Sequence, residues 1–185
     1  IKEMVGHMST STKPQGRGLV MAAVFIATFM TSVEVTIVTT ALPAIISDLH
    51  GLAYQSWIMS AYLLTTAITT PIYGKLADTL GRRGVFQWGV VLFTLGTLLS
   101  GLAPHILLLI LARALQGIGA GAVMPLTFTI IADYYDFAHR ANVLALNNTA
   151  WGLSALVGPL IGGFLVDQLS WHWVFSVSYT HLRAH

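Results

Sequence analysis

Gly74-Lys75-Leu76-Ala77-Asp78-Thr79-Leu80-Gly81-Arg82-Arg83 lies between two long apolar runs and holds four charged side chains in ten residues. Short connections between membrane helices collect Lys and Arg on the cytoplasmic side, which accounts for the cations. An acid and two glycines in the same stretch ask for more. Gly74 and Gly81 allow a tight reversal, while Asp78 can accept hydrogen bonds from arginine side chains or a helix N-terminus. The stretch therefore reads as a structured cytoplasmic loop, and the apolar runs on either side as the spans it joins.

The whole chain fits that reading. Its 185 residues are 55% hydrophobic and 9% charged, with a mean hydropathy of +0.74. A soluble domain carries about 25% charged residues, so the expected fold class is all-α and integral to a membrane. Loop cations explain the net charge of +2 and the pI near 9.1. No basic run with interleaved aromatics is present, so no nucleic-acid partner is expected. The absence of cysteine excludes disulfides and thiolate metal sites. No metal-ligand spacing, nucleophile elbow or phosphate loop occurs, so neither a metal, a cofactor nor an enzyme activity is expected. The first apolar run is too long for a cleavable signal peptide and lacks a small-residue cleavage site.

Residues 1–18 are polar, with Lys2, Lys13 and Arg17, and read as a disordered cytoplasmic lead-in in which Met8 is a candidate start. Five spans are predicted over residues 19–42, 53–73, 84–103, 106–131 and 142–166, with a sixth starting near Trp173. Trp57, Trp171 and Trp173 suit membrane interfaces, and Pro71 sits near the end of the second span. The run from Ser176 to His185 is too polar for hydrocarbon. The transmembrane part is thus expected over 19–175, with 176–185 a foreign tail. If the spans alternate, Lys2, Lys13, Arg17, Lys75, Arg82, Arg83 and Arg140 share one side, and the opposite loops up to Trp171 hold no Lys or Arg. That side is the cytoplasm, with the N-terminus in it.

Two charges fall inside spans. Glu34 lies near the middle of the first, where a lone carboxylate costs about 2.5–3.5 kcal/mol on insertion scales. It should face the bundle interior, either carrying a proton or hydrogen-bonded to Thr31, Thr36 or Thr39. Arg113 lies within the fourth span and shares a helix face with Gly117 and Gly121 at i+4 and i+8. The glycines read as tight packing, and the arginine needs an acid, a carbonyl or water. The fifth span carries Gly152, Gly158, Pro159, Gly162 and Gly163. A small-residue packing face and a proline bend account for them physically. Asp133 to Arg140 reads as a short polar loop in which His139 is solvated.

The pattern G-x-L-A-D-x-x-G-R-R after a second span resembles the signature loop of the major facilitator superfamily of transporters. The segment from Glu34 to Pro43 resembles the first-helix signature of multidrug:proton antiporters with about fourteen spans, the EmrB/QacA-like branch, which commonly has Asp where this chain has Glu34. Arg113 to Gly121 resembles the family's fourth-helix motif, whose arginine is associated with proton coupling. The resemblance thus makes Glu34 and Arg113 a coupled charge pair. It also implies that Asp133 engages an arginine of the signature loop, Arg82, as a cytoplasmic latch. The family often has Pro and Glu where this chain reads Phe137-Ala138-His139. G-x5-G-P-x2-G-G on the fifth helix looks like the antiporter motif, which sugar symporters and facilitators largely lack. The resemblance covers about 19–175 and implies bacterial proton-coupled efflux of amphipathic, drug-like compounds across the cell membrane. The partners implied are the lipid bilayer, protons and a missing C-terminal half. A metabolite or sugar transporter of the same superfamily and a small non-transporting membrane scaffold remain alternatives. Retained apolar helices beyond Phe175 would argue against the scaffold.

Overall fold

The computed structural model describes residues 17–176, so the expected lead-in and tail lie almost wholly outside the described residues. Five long helices follow one another: α1 Arg17–Asp48, α2 Gln55–Leu80, α3 Arg82–Gly101, α4 Ile106–Tyr134 and α5 Phe137–Gln168. A 3-10 turn at Leu52–Tyr54 precedes α2, and the chain is helical again over 172–176. Among the described residues there is no strand. The all-α membrane bundle read from the sequence is the architecture observed.

α4 is the hub and packs against each of the other four helices, while α1 and α5 pair along their length. Small residues make this possible. A Cβ added at Gly119 would run into the backbone of Phe93 and Gly89 on α3, and one at Gly117 into Tyr62 and Thr65 on α2. Helices approach this closely only where side chains are absent, the usual basis of association in lipid.

Four of the described helices are long and apolar enough to cross a membrane: Gly18–Asp48, Arg82–Gly101, Ile106–Tyr134 and Phe137–Gln168. α2 falls short by composition, against the five spans expected. Threonines at 65, 66, 69 and 70 lower its hydropathy. Their hydroxyls are nonetheless satisfied, donating to carbonyls one turn back at 2.7–2.8 Å. At 26 residues, α2 is about 39 Å long, more than the roughly 30 Å hydrocarbon core requires. It runs parallel to α4, with Tyr62 against Gly117, Thr69 against Gly121 and the α2–α3 junction against Asp133.

Two loops proved shorter than expected. Gly74 to Leu80 belongs to α2, and the reversal is made by Gly81 alone, at φ 92°. Leu76, Ala77 and Leu80 favour helix, so only the residue that must adopt positive φ leaves it. Likewise α5 starts at Phe137, so most of the expected polar loop is helix, entered through Asp136 in extended conformation.

The ends of the bundle differ in charge. Arg82 pairs with Asp133, Arg83 lies over the Tyr134 ring at 5.1 Å, and Arg140 donates to the Ala132 carbonyl at 2.8 Å. These cations gather around the C-terminus of α4. At the opposite end, Trp171 donates its indole N–H to Asp48 Oδ2 at 2.8 Å. Trp171 is buried within the bundle and Trp173 is half exposed.

Candidate functional site

In the middle of the bundle, Arg113 on α4 and Glu34 on α1 form an ion pair at 3.1 Å, and neither side chain reaches solvent. A guanidinium carries five donors, and a buried one must find acceptors for them. Besides Glu34 Oε1, Arg113 Nη1 donates to Gln116 Oε1 at 2.6 Å, and Nε donates to the Ile58 carbonyl at 3.4 Å. The guanidinium lies 4.4 Å from the centre of the Tyr62 ring, whose π face adds a cation–π attraction. Gln116 in turn donates from Nε2 to Thr97 Oγ1 at 2.8 Å. One arginine thus ties α1, α2, α3 and α4 together.

Thr31, Thr36 and Thr39 were the alternative partners for Glu34. Their hydroxyls donate to backbone carbonyls: Thr31 to Ala27 and Thr28, Thr36 to Val33, Thr39 to Val35. The ion pair with Arg113 joins Glu34 on α1 to α4.

A carboxylate and a guanidinium in low dielectric attract strongly, and removing them from water is costly. Adding a proton to the acid, or bringing in a competing charge, changes that balance.

The second cluster is exposed. Arg82 Nη1 donates to Asp133 Oδ1, joining the start of α3 to the end of α4, with both side chains partly in solvent. Asp78, Gly81 and Arg83 line the same open hollow. Gly74 stands apart, one helical turn back, with open space where a side chain would be.

On α5, Gly158 packs against Thr36 and Gly162 against Ile37 of α1. Ser154 accepts a hydrogen bond at its carbonyl from Thr36 Oγ1 at 3.2 Å. A Cβ added at Gly152 or Gly163 would meet nothing within 4 Å among the described residues, and Pro159 is exposed while the helix continues through it. The five residues thus divide between an inner face on α1 and an outer face that these helices leave open.

Comparison with known proteins bears directly on this arrangement. The family model of the Major Facilitator Superfamily matches residues 24–179. The chain belongs to the Major Facilitator Superfamily. It is 42% identical over 171 residues to the Multidrug transporter protein MdtP of Bacillus subtilis (strain 168), covering 92% of this chain and 32% of that one. It is 38% identical over 160 residues to the Efflux pump dotC of Dothistroma septosporum, covering 86% of this chain and 28% of that one. The chain therefore spans about a third of the length of such relatives. A D-xylose-proton symporter of known structure matches with a TM-score of 0.76 at 15% identity, over 87% of this chain and 45% of that one. That likeness shows the superfamily fold. The chain is thus part of a transporter-family, multi-pass membrane bundle.

Sequence reasoning singled out both members of the buried ion pair but not Gln116, Thr97 or Tyr62, which complete its surroundings. Gln116 was within reach, since a residue at i+3 from a buried arginine shares its face. Thr97 and Tyr62 carry no such signal, being ordinary residues on other helices.

Proposed function

We propose that the chain is the N-terminal part of a bacterial multidrug exporter of the EmrB/QacA-like, fourteen-span branch, working as a drug:proton antiporter in the cell membrane. The observation that carries this reading is the fully buried Glu34–Arg113 pair across α1 and α4. An intramembrane acid with a single interhelical cation is where proton binding can change helix packing. The printed names of the relatives, a multidrug transporter and an efflux pump, support export as the direction.

In this mechanism Glu34 takes up a proton while Arg113 stays charged, still held by Gln116 and the Ile58 carbonyl. The α1–α4 contact loosens, and an amphipathic drug occupies an apolar cavity in the alternate state. Asp78, Arg82 and Asp133 latch the cytoplasmic ends, and Gly158-Pro159 lets α5 bend against the other half. The cation-rich end, with Lys75, Arg82, Arg83 and Arg140, is cytoplasmic, which puts the N-terminus there too.

Glu34→Gln in the complete transporter tests the reading. Glutamine keeps an oxygen to accept from Arg113, so folding is retained, while proton-driven dye efflux in proteoliposomes is lost. Retained coupling in that variant would remove Glu34 from the mechanism.

A further inference from the structure

Two acceptors share one nitrogen of Arg113: Nη1 donates to Glu34 Oε1 at 3.1 Å and to Gln116 Oε1 at 2.6 Å. The orientation of the Gln116 amide is set from α3. Thr97 Oγ1 has a single proton, which it donates to the Phe93 carbonyl at 2.9 Å. It can then only accept from Gln116, so the amide group facing it at 2.8 Å is the nitrogen, Nε2. Arginine has no acceptor, so the amide group facing Arg113 is the oxygen. Both neighbours demand the same orientation, which settles which end of the amide is which.

The backbone brings Thr97 within reach. A Cβ added at Gly96 would run into the backbone nitrogen and Cα of Gln116, so α3 lies directly against α4 at this level. Glu34, Arg113 and Gln116 are fully buried, and Thr97 is 1% exposed. Few charged or titratable groups face Glu34. Arg113 meets it from α4, and Tyr62 on α2 lies against the guanidinium. The titratable groups of α2 beyond Tyr62 begin about three turns away, at Tyr73. α3 and α5 carry theirs only near their ends, at Arg82, Arg83, His139, Arg140 and Asp167. The hold of Gln116 on Nη1 thus works against a closer pairing of Arg113 with Glu34.

We propose that Thr97 is a positioning residue for proton exchange: by fixing the Gln116 amide it holds Arg113 partly off Glu34, and so sets the pH at which Glu34 takes its proton. The proposal rests on the proton-coupled reading above and adds to it a residue that acts through Gln116. Without the Thr97 acceptor the amide is free to turn, and Nη1 closes on Glu34. A cation held closer favours the charged form of an acid, so proton loading then requires a lower pH.

Thr97→Val keeps the shape of the side chain and removes the hydroxyl. Proton-driven efflux of ethidium, whose charge is permanent, is measured against pH for the complete transporter in proteoliposomes. The Thr97→Val profile is expected to lie about 0.5 pH unit towards acid, as for one weakened hydrogen bond, and Thr97→Ala should shift likewise. Thr97→Ser keeps donor and acceptor and should follow the wild type. In a Gln116→Leu background Thr97→Val should add no displacement, because its effect passes through the amide. A threonine with a structural role alone would lower the rate at every pH and leave the profile in place. That result would overturn the proposal. So would a displacement towards alkali, a Thr97→Ser shift equal to that of Thr97→Val, or full additivity with Gln116→Leu. A wild type that moves no ethidium on a proton gradient would sink the coupling reading and the positioning role with it. A wild type that does, beside an unmoved Thr97→Val profile, would sink the positioning role alone.

Discussion

Glu34 and Arg113, 79 residues apart in sequence, hold one another at 3.1 Å in the interior of the bundle with no solvent on either side. Such a pair is a weak source of net stability but a sensitive one. Removing one partner leaves a charge uncompensated, which costs about 3–5 kcal/mol. Arg113→Ala removes the counter-ion of Glu34 and the side-chain donor to Gln116 Oε1. It is expected to destabilise by about that amount. Glu34→Gln leaves the guanidinium without its counter-ion but keeps an acceptor for it, so it should cost less than Arg113→Ala. Denaturant unfolding in detergent, followed by tryptophan fluorescence, gives both values. Equal costs for the two variants would mean that the guanidinium is not held by the contacts described.

The close approach of α4 to its neighbours makes a second expectation. A Cβ at Gly119 would collide with backbone atoms of Phe93 and Gly89, which cannot rotate away. Gly119→Ala should therefore cost about 1–3 kcal/mol, as overpacking does. A Cβ at Gly152 would meet nothing within 4 Å among the described residues, so Gly152→Ala should be neutral or gain up to about 1 kcal/mol from helix propensity. If Gly152→Ala leaves stability intact but abolishes transport, its open face is covered by another part of the complete protein. Comparable destabilisation by both substitutions would contradict the packing seen around α4.

What was legible in the sequence follows from which forces act locally. Long apolar runs announce spans because hydrocarbon tolerates nothing else, and α1, α3, α4 and α5 formed where those runs lie. Glu34 and Arg113 stood out because a charge in a span is rare. Asp48 and Trp171 did not, since an acid and a tryptophan near span ends are common, and their hydrogen bond joins residues 123 positions apart. The same holds for Thr97 and Tyr62: their importance comes from packing against Arg113, which exists only once four helices assemble. Helix ends were misplaced at Gly74–Leu80 and at Phe137. There hydrophobicity fades before the backbone stops being helical, because water at the interface satisfies a helix as well as a loop.

That misplacement leads to the last expectation, at the two glycines of the charged stretch. Gly81 is the only described glycine with positive φ, at 92°, and it alone separates α2 from α3. A side chain there would be strained whatever space surrounds it. Gly81→Ala is expected to cost about 1–3 kcal/mol, and to loosen the Arg82–Asp133 contact that the turn positions. Gly74 has ordinary helical geometry within α2, with open space at its Cβ position. Gly74→Ala should thus be neutral or stabilise by about 0.5–1 kcal/mol. Unfolding midpoints of the two variants, measured side by side, distinguish a one-residue turn from a flexible ten-residue loop. In a flexible loop both substitutions would be tolerated alike, and the sharp junction between α2 and α3 would have to be abandoned.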